Sequence, residues 1–367
     1  MKVALIHDHL AQDGGAEKVL KVLSDMFPEA PIYTLLYEPT MADKYFKNRK
    51  IFTSIIQKIP GGVRFYKWFL PIMSLAVEFF DLSDYDLVIS NTSSFAKGVI
   101  TNTNTLHLCY CCTPTRYLWS DTHSYIQELK YNKYFKKIIA LSLKKIRIWD
   151  RLAADRPDYF IADSQFIAKR IKKYYRRESV VIYPPVEIDK FQLAANPGDY
   201  WLAGGRLVPY KRFDLLVEAF KTNGRKLKIF GGGPDLPRLK ELAGEAPNIE
   251  FLGRVSDEQM IKLYSECLAF LNPQEEDFGI TMVEALASGR PVIAFNRGGA
   301  KEIVANEQVG ILFAEQTPES LNEALAKYDQ IKFDAAFIRN YAQKFSVERF
   351  KAEITKMVEE KMRELKG

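Results

Sequence analysis

Short apolar runs alternate with segments of helical period along most of the chain. KVALIHD, DLVISN, LHLCYC, YFIADS and VVIYPP have the length and content of buried strands. GAEKVLKVLSDMF and SQFIAKRIKKYY repeat apolar residues at helical spacing behind two of them. Alternation of this kind predicts a parallel sheet covered by helices. A second series starts near residue 199, with YWLAGGR, KLKIFGGG, IEFLGRV, CLAFLNP, PVIAFN and GILF as strands. RFDLLVEAF, PDLPRLKELA, SDEQMIKLYSE, TMVEALASG and PESLNEALAKY are the helices between them. The polar, turn-rich stretch QLAANPGDY, 192–200, separates the two series. The expected organisation is an N-terminal α/β domain over 1–193, a C-terminal α/β domain over 194–345 and a helix over 346–367 that packs back on the first domain. Two such domains in tandem suggest a central cleft between them that holds a ligand.

Composition fits this reading. A chain of 367 residues, 47% hydrophobic, is too long for one core. The formal charge of +6 is a mild excess, short of what nucleic acid usually asks for. Of the four cysteines, three crowd into CYCC, which is neither a CxxC pair nor a disulfide framework and points to a reducing cytosol. The start, MKVALIHDHLAQDGGAE, reads as a first strand rather than a signal peptide. The most apolar stretch, Trp68 to Phe80, is thirteen residues long and contains Pro71 and Glu78, too short to span a bilayer.

The candidate chemistry lies in EEDFGITMVEALASG, 275–289. Glu276, Asp277, Phe278 and Gly279 fall on the loop after a strand, and TMVEALASG is the helix that follows. The unpaired N–H groups of Gly279, Ile280 and Thr281, with the helix dipole, suit an anion such as a phosphate. Glu284, in the first turns, suits the two hydroxyls of a ribose, and Glu276 the hydroxyls of a second sugar. The alternative is that both are solvated charges. Arg206 and Lys211, after another strand and the Gly204-Gly205 pair, are placed to neutralise a diphosphate.

Gly-Arg-Leu, Lys five residues after that Arg, and Glu-x7-Glu around Phe-Gly together resemble the family 4 glycosyltransferases of the GT-B fold. DGGAEKVL, IADSQFIAKRI, VIYPPVEIDKF, IFGGGPDLPRL and FLGRVSDEQMIKLYSECLAFLNP extend the resemblance over nearly the whole chain. CYCCTPTRYLW resembles the mannosyltransferase-like branch that builds bacterial surface polysaccharides, including lipopolysaccharide. The resemblance implies two Rossmann-like domains facing a central cleft, and retaining, metal-independent transfer of a sugar from a nucleotide donor, with GDP-mannose as first choice. It implies that Arg206 and Lys211 grip the donor diphosphate, that Glu284 binds the ribose, and that Glu276 with the backbone of Phe278, Gly279 and Ile280 holds donor sugar and phosphate. Gly14 and Gly15 would close over the phosphates, and Arg254 and Val255 would lie at the base pocket. The catalytic set is then Arg206, Lys211 and Glu276, with no protein nucleophile.

One position departs from the branch, which usually reads CHTP. Here Cys112 stands in place of the histidine expected to contact the donor sugar. His107 sits on the Cys109 and Cys111 face of LHLCYC and is expected to be buried. His7, Asp8 and His9 read as structural or acceptor-side residues, and Asp84-Tyr85-Asp86 as turn chemistry rather than a metal motif. Cys112 also keeps alive a rival reading, a non-catalytic sugar-nucleotide-binding subunit of a polysaccharide assembly complex. A UDP-sugar donor is a further alternative, and Glu-x7-Glu disfavours a sugar-nucleotide epimerase.

KYNKYFKKIIALSLKKIRIWDR, 130–151, places Lys130, Lys133, Lys136, Lys137, Lys144, Arg147 and Arg151 within an arc of roughly 120°. Phe135, Ile138, Ile146 and Trp149 point away from it on the same wheel. With Arg64 and Lys67 among aromatics nearby, this predicts a cytoplasmic protein docked at the inner face of the cell membrane on anionic lipid. A polyprenyl-diphosphate-linked glycan would then be the acceptor. The bland alternative is a solvated face.

Overall fold

The computed structural model describes residues 1–12, 14–63, 65–128, 132–194 and 197–366. Asp13, Arg64, Lys130 and the pair 195–196, which enter the readings above, lie outside the described residues, as does the side chain of Lys67. The chain divides into two compact units, Met1–Pro185 with Phe350–Gly367, and Val186–Arg349.

The first unit holds seven strands: β1 (Val3–His7), β2 (Ile32–Thr34), β3 (Ile51–Thr53), β4 (Leu87–Thr92), β5 (Leu106–Cys111), β6 (Tyr159–Ala162) and β7 (Ser179–Val181). They form one sheet in the order β3-β2-β1-β4-β5-β6-β7, with all pairs parallel. β1, β4 and β5 are buried throughout, which is why they read as unbroken apolar runs. β2 and β3 did not stand out in the sequence, because each is a three-residue run that ends on a threonine, Thr34 or Thr53. The chain leaves β1 toward β2 and β3, then returns to β4 on the other side of β1. The carboxyl ends of β1 and β4 are therefore a topological switch point, where open α/β sheets bind ligands.

The helix Lys133–Ala153 is anchored by a buried ion pair, Lys97 Nζ to Asp150 Oδ1 at 2.5 Å. Thr115 Oγ1 (2.9 Å) and Trp119 Nε1 (2.7 Å) also donate to Asp150, and Lys97 donates to the Ser94 carbonyl. Every charge in this cluster is met by a partner, as burial demands. Outward, the same helix exposes Tyr134, Ile138, Leu141, Ile148 and Leu152. The wheel reading of Ile138 is thus corrected. Leu143, Ile146 and Ala153 fill the buried face, and the remaining apolar residues are left to solvent. Arg147 is likewise not a free surface charge, since it donates to the Leu118 carbonyl and to Thr122. The helix Leu70–Glu78 and the turn before it add Trp68, Ile72, Leu75 and Phe79 to the exposed apolar surface, with the Trp68 and Phe135 rings 5.7 Å apart. The far part of the helix Val347–Lys366 belongs to this unit, through Phe350 against Tyr110 (5.8 Å) and Tyr159 donating to Glu364 (2.9 Å).

The second unit holds β8 (Trp201–Gly204), β9 (Leu227–Phe230), β10 (Ile249–Gly253), β11 (Phe270–Asn272), β12 (Val292–Phe295) and β13 (Gly310–Phe313). Their order is β10-β9-β8-β11-β12-β13, again all parallel, with the switch point between β8 and β11. The unit begins at Val186, whose N–H bonds the Phe345 carbonyl, so the polar stretch 192–200 lies inside it rather than at its edge. Arg290 bridges the Ala194 carbonyl of that stretch to the Ser265 carbonyl, and Arg339 bridges the Phe191 carbonyl just before it to that of Ala287.

Candidate functional site

The switch point of the second sheet collects most of the polar residues singled out in the sequence. Arg206 and Lys211 follow β8, Glu276 follows β11, and the helix Ile280–Ala287 starts four residues after Glu276. Lys211 folds back so that its Nζ reaches Glu276 Oε1 at 2.8 Å, on the side of Gly205. Gln274 Nε2 donates to the same oxygen at 2.7 Å. Asn272 Nδ2 in turn donates to the Gln274 carbonyl (3.1 Å), so a chain of amides leads from the strand end to Glu276. Arg206 is exposed and, among the described residues, makes no hydrogen bond or ion pair. A cation of this kind at a strand's carboxyl edge is available to an anionic ligand.

Gly279 caps the helix with φ +108°, a conformation that only glycine adopts without strain. The first N–H groups behind it have no helical acceptor and carry the positive end of the dipole. Gly298 (φ +61°) lets the loop after β12 lie against this segment: a Cβ there would meet the Glu276 carbonyl at 2.1 Å. The Gly299 N–H donates to that carbonyl at 2.9 Å. Phe278 is buried against Phe345, 5.6 Å between rings. Glu284 is only 3% exposed, which sets aside the reading of a solvated helix charge. Its Oε2 accepts from the Tyr264 hydroxyl at 3.1 Å, within a ring cluster of Phe191, Phe230 and Phe270. Burial and then the Glu284 charge push the Tyr264 phenol well above its ordinary range, so it stays a donor. Arg254 is exposed and lies over Gly232 after β9, with Val255 beside it half-buried. The sequence reading missed Gln274, Asn272 and Tyr264. The signal for the first two was present, as polar residues in NPQEE at the end of an apolar strand.

Gly14, Gly15 and Cys112 belong to the first unit, at the carboxyl ends of β1 and β5. The Cys112 thiol donates to Asn91 Oδ1 at 3.2 Å. Burial, with Asp163 and Asp8 nearby, pushes the thiol well above its ordinary value, so it is uncharged. Asp8 is occupied by the turn after β4: it accepts from Thr92 Oγ1 (3.1 Å) and from the N–H groups of Ser93 (2.6 Å), Phe95 and Ala96 (both 2.7 Å). His7 Nδ1 lies 3.0 Å from the Asn91 carbonyl and Nε2 3.4 Å from Glu17 Oε1. Burial lowers the His7 pKa, but the bond to Glu17 and its charge outweigh this, for a net rise. Glu17 is held low, because the His7 bond and charge outweigh its own burial. His107 is fully buried beside Ser90 (2.9 Å), and burial, then Arg156 and Arg177, lower it to about 3. Among the described residues no three His, Cys, Asp or Glu side chains converge on a point that a metal ion could occupy.

Two parallel-sheet Rossmann-like units, each with its switch point, define a GT-B α/β protein. Residues 186–345, nearly the whole of the second unit, match the family model described as "Glycosyl transferases group 1". An uncharacterized glycosyltransferase of Methanocaldococcus jannaschii is 30% identical over 194 residues, 51% of this chain and 54% of the relative. A GDP-mannose-dependent alpha-(1-6)-phosphatidylinositol monomannoside mannosyltransferase of Mycobacterium tuberculosis is 34% identical over 154 residues, 38% of this chain and 40% of that one. The chain thus spans about half, or less, of the length of these curated relatives. Among solved structures, HepE of Anabaena in complex with UDP-glucose superposes with a TM-score of 0.71 at 17% identity, over 98% of this chain and 100% of that one. Sucrose-phosphate synthase of Thermosynechococcus elongatus gives 0.72 at 15% identity, over 98% and 99%. At these identities the likeness is one of fold.

Proposed function

We propose that this protein is a retaining, metal-independent glycosyltransferase that moves a sugar from a nucleotide donor to a glycan or polyprenyl-diphosphate-linked acceptor in surface polysaccharide synthesis. The observation that carries this reading is the Lys211–Glu276 contact at the switch point of the second sheet, beside the N-terminus of the helix Ile280–Ala287. Arg206 and Lys211 bind the donor diphosphate and stabilise the charge that grows on it as the bond to the sugar breaks. Glu284, oriented by Tyr264, accepts the ribose hydroxyls. Glu276, with the backbone of Phe278, Gly279 and Ile280, holds the sugar and the adjoining phosphate. Arg254 and Val255 flank the base. As the diphosphate takes up the charge of Lys211, Glu276 turns its carboxylate to the sugar.

The anomeric carbon–oxygen bond to the nucleotide breaks on the face where the acceptor oxygen bonds, and the acceptor's proton passes to a donor phosphate oxygen. No side chain acts as nucleophile. GDP-mannose is the first donor to test, since the mycobacterial relative is named as GDP-mannose-dependent. A UDP-sugar is the alternative, in view of the HepE complex with UDP-glucose. The protein is read as cytoplasmic, at the inner face of the cell membrane. The exposed apolar stripe of Lys133–Ala153, flanked by Lys137, Lys144 and Lys145, supports docking on anionic lipid. Among the described residues no helix is long and apolar enough to cross a membrane.

The test is release of nucleotide from GDP- and UDP-sugars with lipid-linked acceptors, followed by NMR of the product's anomeric proton. Transfer with retained configuration, abolished in Lys211→Ala, is the expected result. Donor binding without release on any acceptor would favour the second reading, a non-catalytic binding subunit. The uncharged, weakly donating Cys112 thiol is the observation behind that alternative.

A further inference from the structure

We propose that the switch point of the first unit is a separate binding site for a sugar hydroxyl, with Glu17 Oε2 as its acceptor and Gly14 as its roof. Glu17 sits in the first turn of the helix Gly15–Met26, just past the carboxyl end of β1. It is 2% exposed, and its Oε2 is buried without a hydrogen-bond partner. The polar groups around it are committed. His7 faces Glu17 Oε1 and the Asn91 carbonyl, Asn91 Nδ2 donates to the Ala16 carbonyl at 2.6 Å, and the Cys112 thiol donates to Asn91 Oδ1. Asp8 is filled by the turn after β4. Buried polar atoms in native proteins are almost always satisfied, so a lone carboxylate oxygen at a ligand-binding edge marks where a donor from outside belongs.

A second observation is steric. A Cβ on Gly14 would come within 2.9 Å of Glu17 Oε2. A side chain at that position would press on the oxygen, whereas with glycine the space a Cβ would take has, among the described residues and beyond the adjoining chain, no other atom within 4 Å. The resemblance noted above places Gly14 and Gly15 over donor phosphates. An ionised carboxylate directly beneath them, with Asp8 close by, repels a phosphate and complements its helix N-terminus internally. A neutral hydroxyl donates to the carboxylate and meets no such repulsion, so the ligand is hydroxyl-rich and uncharged at this point. The transferase reading supplies two sources for it, the donor's sugar and the acceptor's sugar, and the inference rests on that reading only for this choice.

Two variants test it. Glu17→Gln removes the charge and keeps the shape. Gly14→Ala leaves Glu17 and His7 in place, and the extended backbone at Gly14 (φ −143°) accepts alanine. GDP-mannose and UDP-glucose are compared with GDP and UDP by calorimetry. Methyl α-mannopyranoside and methyl α-glucopyranoside are titrated by saturation-transfer NMR. If the site holds the donor sugar, both variants bind nucleotide-sugar about tenfold more weakly and bare nucleotide unchanged. If it holds the acceptor sugar, nucleotide-sugar affinities stay constant and the methyl glycoside signal falls in both. Unchanged binding in both arms, with melting curves showing both variants folded, overturns the site. So does a wild type that binds no methyl glycoside while nucleotide-sugar affinities stay constant. A wild type that binds no nucleotide at all counts instead against the transferase reading, and the glycoside arm then decides this one.

Discussion

Glu284 and Lys211 differ in what their removal exposes. Glu284→Ala leaves the buried Tyr264 hydroxyl without its acceptor, at about 1–3 kcal/mol of stability, and abolishes ribose binding. Glu284→Gln keeps an acceptor for Tyr264, so it is expected to melt close to wild type and still bind donor weakly; calorimetry of both variants separates the two effects. Lys211→Ala breaks a mostly buried ion pair, 16% and 18% exposed, but Glu276 keeps its bond from Gln274 and the variant is expected to fold. Its donor affinity is expected to fall about tenfold or more. The His7–Glu17 pair gives a pH signature. His7 is raised from 6.5, so its contribution is full below 6.5 and fades as pH climbs through the folded value. Glu17 is lowered from 4.5, so its share is full above 4.5 and fades as pH falls through the folded value. The melting-temperature gap between wild type and Glu17→Gln should therefore be widest near pH 5 to 6 and close as pH rises; a gap constant from pH 5 to 9 would contradict the ion pair. The spacing of Arg206, Lys211, Glu276 and Glu284 around strand ends was legible in the sequence. The partner of Glu17 was not, since an acid in a first helical turn reads as a dipole complement until the fold sets it against His7.

The six strands of the second sheet were legible as short apolar runs, from the fully buried β8 and β11 to the half-buried edge strand β10. β2 and β3 were not, because a threonine ends each short run, whereas the equally short β7 and β11 lie within longer apolar runs. The helix Lys133–Ala153 shows a different limit. Its lysines fixed the polar arc, but it has more apolar residues than its buried face holds, so Ile138 faces solvent at 58% exposure. That excess predicts the mode of docking. Binding to anionic vesicles should persist in part at high salt through the apolar stripe, and fall sharply in Ile138→Asp/Leu141→Asp. A flotation assay in which that double variant binds as wild type would sink the apolar contact. The helix owes its placement to Asp150, which meets Lys97, Thr115 and Trp119. Asp150→Ala strands a buried ammonium and should cost about 3–5 kcal/mol in urea unfolding. A loss below 1 kcal/mol would mean that the pair is not buried in solution.

Across the whole chain, the same device appears twice: a parallel sheet whose order reverses, with polar groups at the carboxyl ends of the strands on either side of the reversal. In the second unit they are Arg206, Lys211 and Glu276, suited to a charged donor. In the first they are His7, Glu17 and Asp8, where two carboxylates face one imidazole. This division of charge follows from residues that the chain brings to the strand ends, while the sequence pattern alone showed only that such ends exist. Acid should unfold the protein partly through His107, which is held neutral at about 3 against 6.5 when unfolded. The folded chain binds fewer protons between those values, so stability falls as pH drops below 6.5, and the fall should be shallower in His107→Gln. The central claim, a nucleotide-sugar held at the second switch point, is tested most directly by the melting temperature against GDP-, UDP-, ADP- and dTDP-sugars, with Lys211→Ala and Glu284→Gln alongside. A ligand at about a hundred times its Kd adds about 2.7 kcal/mol, a shift of several degrees. We expect one nucleotide class to give that shift in wild type and a shift of about half or less in both Glu284→Gln and Lys211→Ala. No shift with any donor, or an equal shift in all three proteins, would contradict the account.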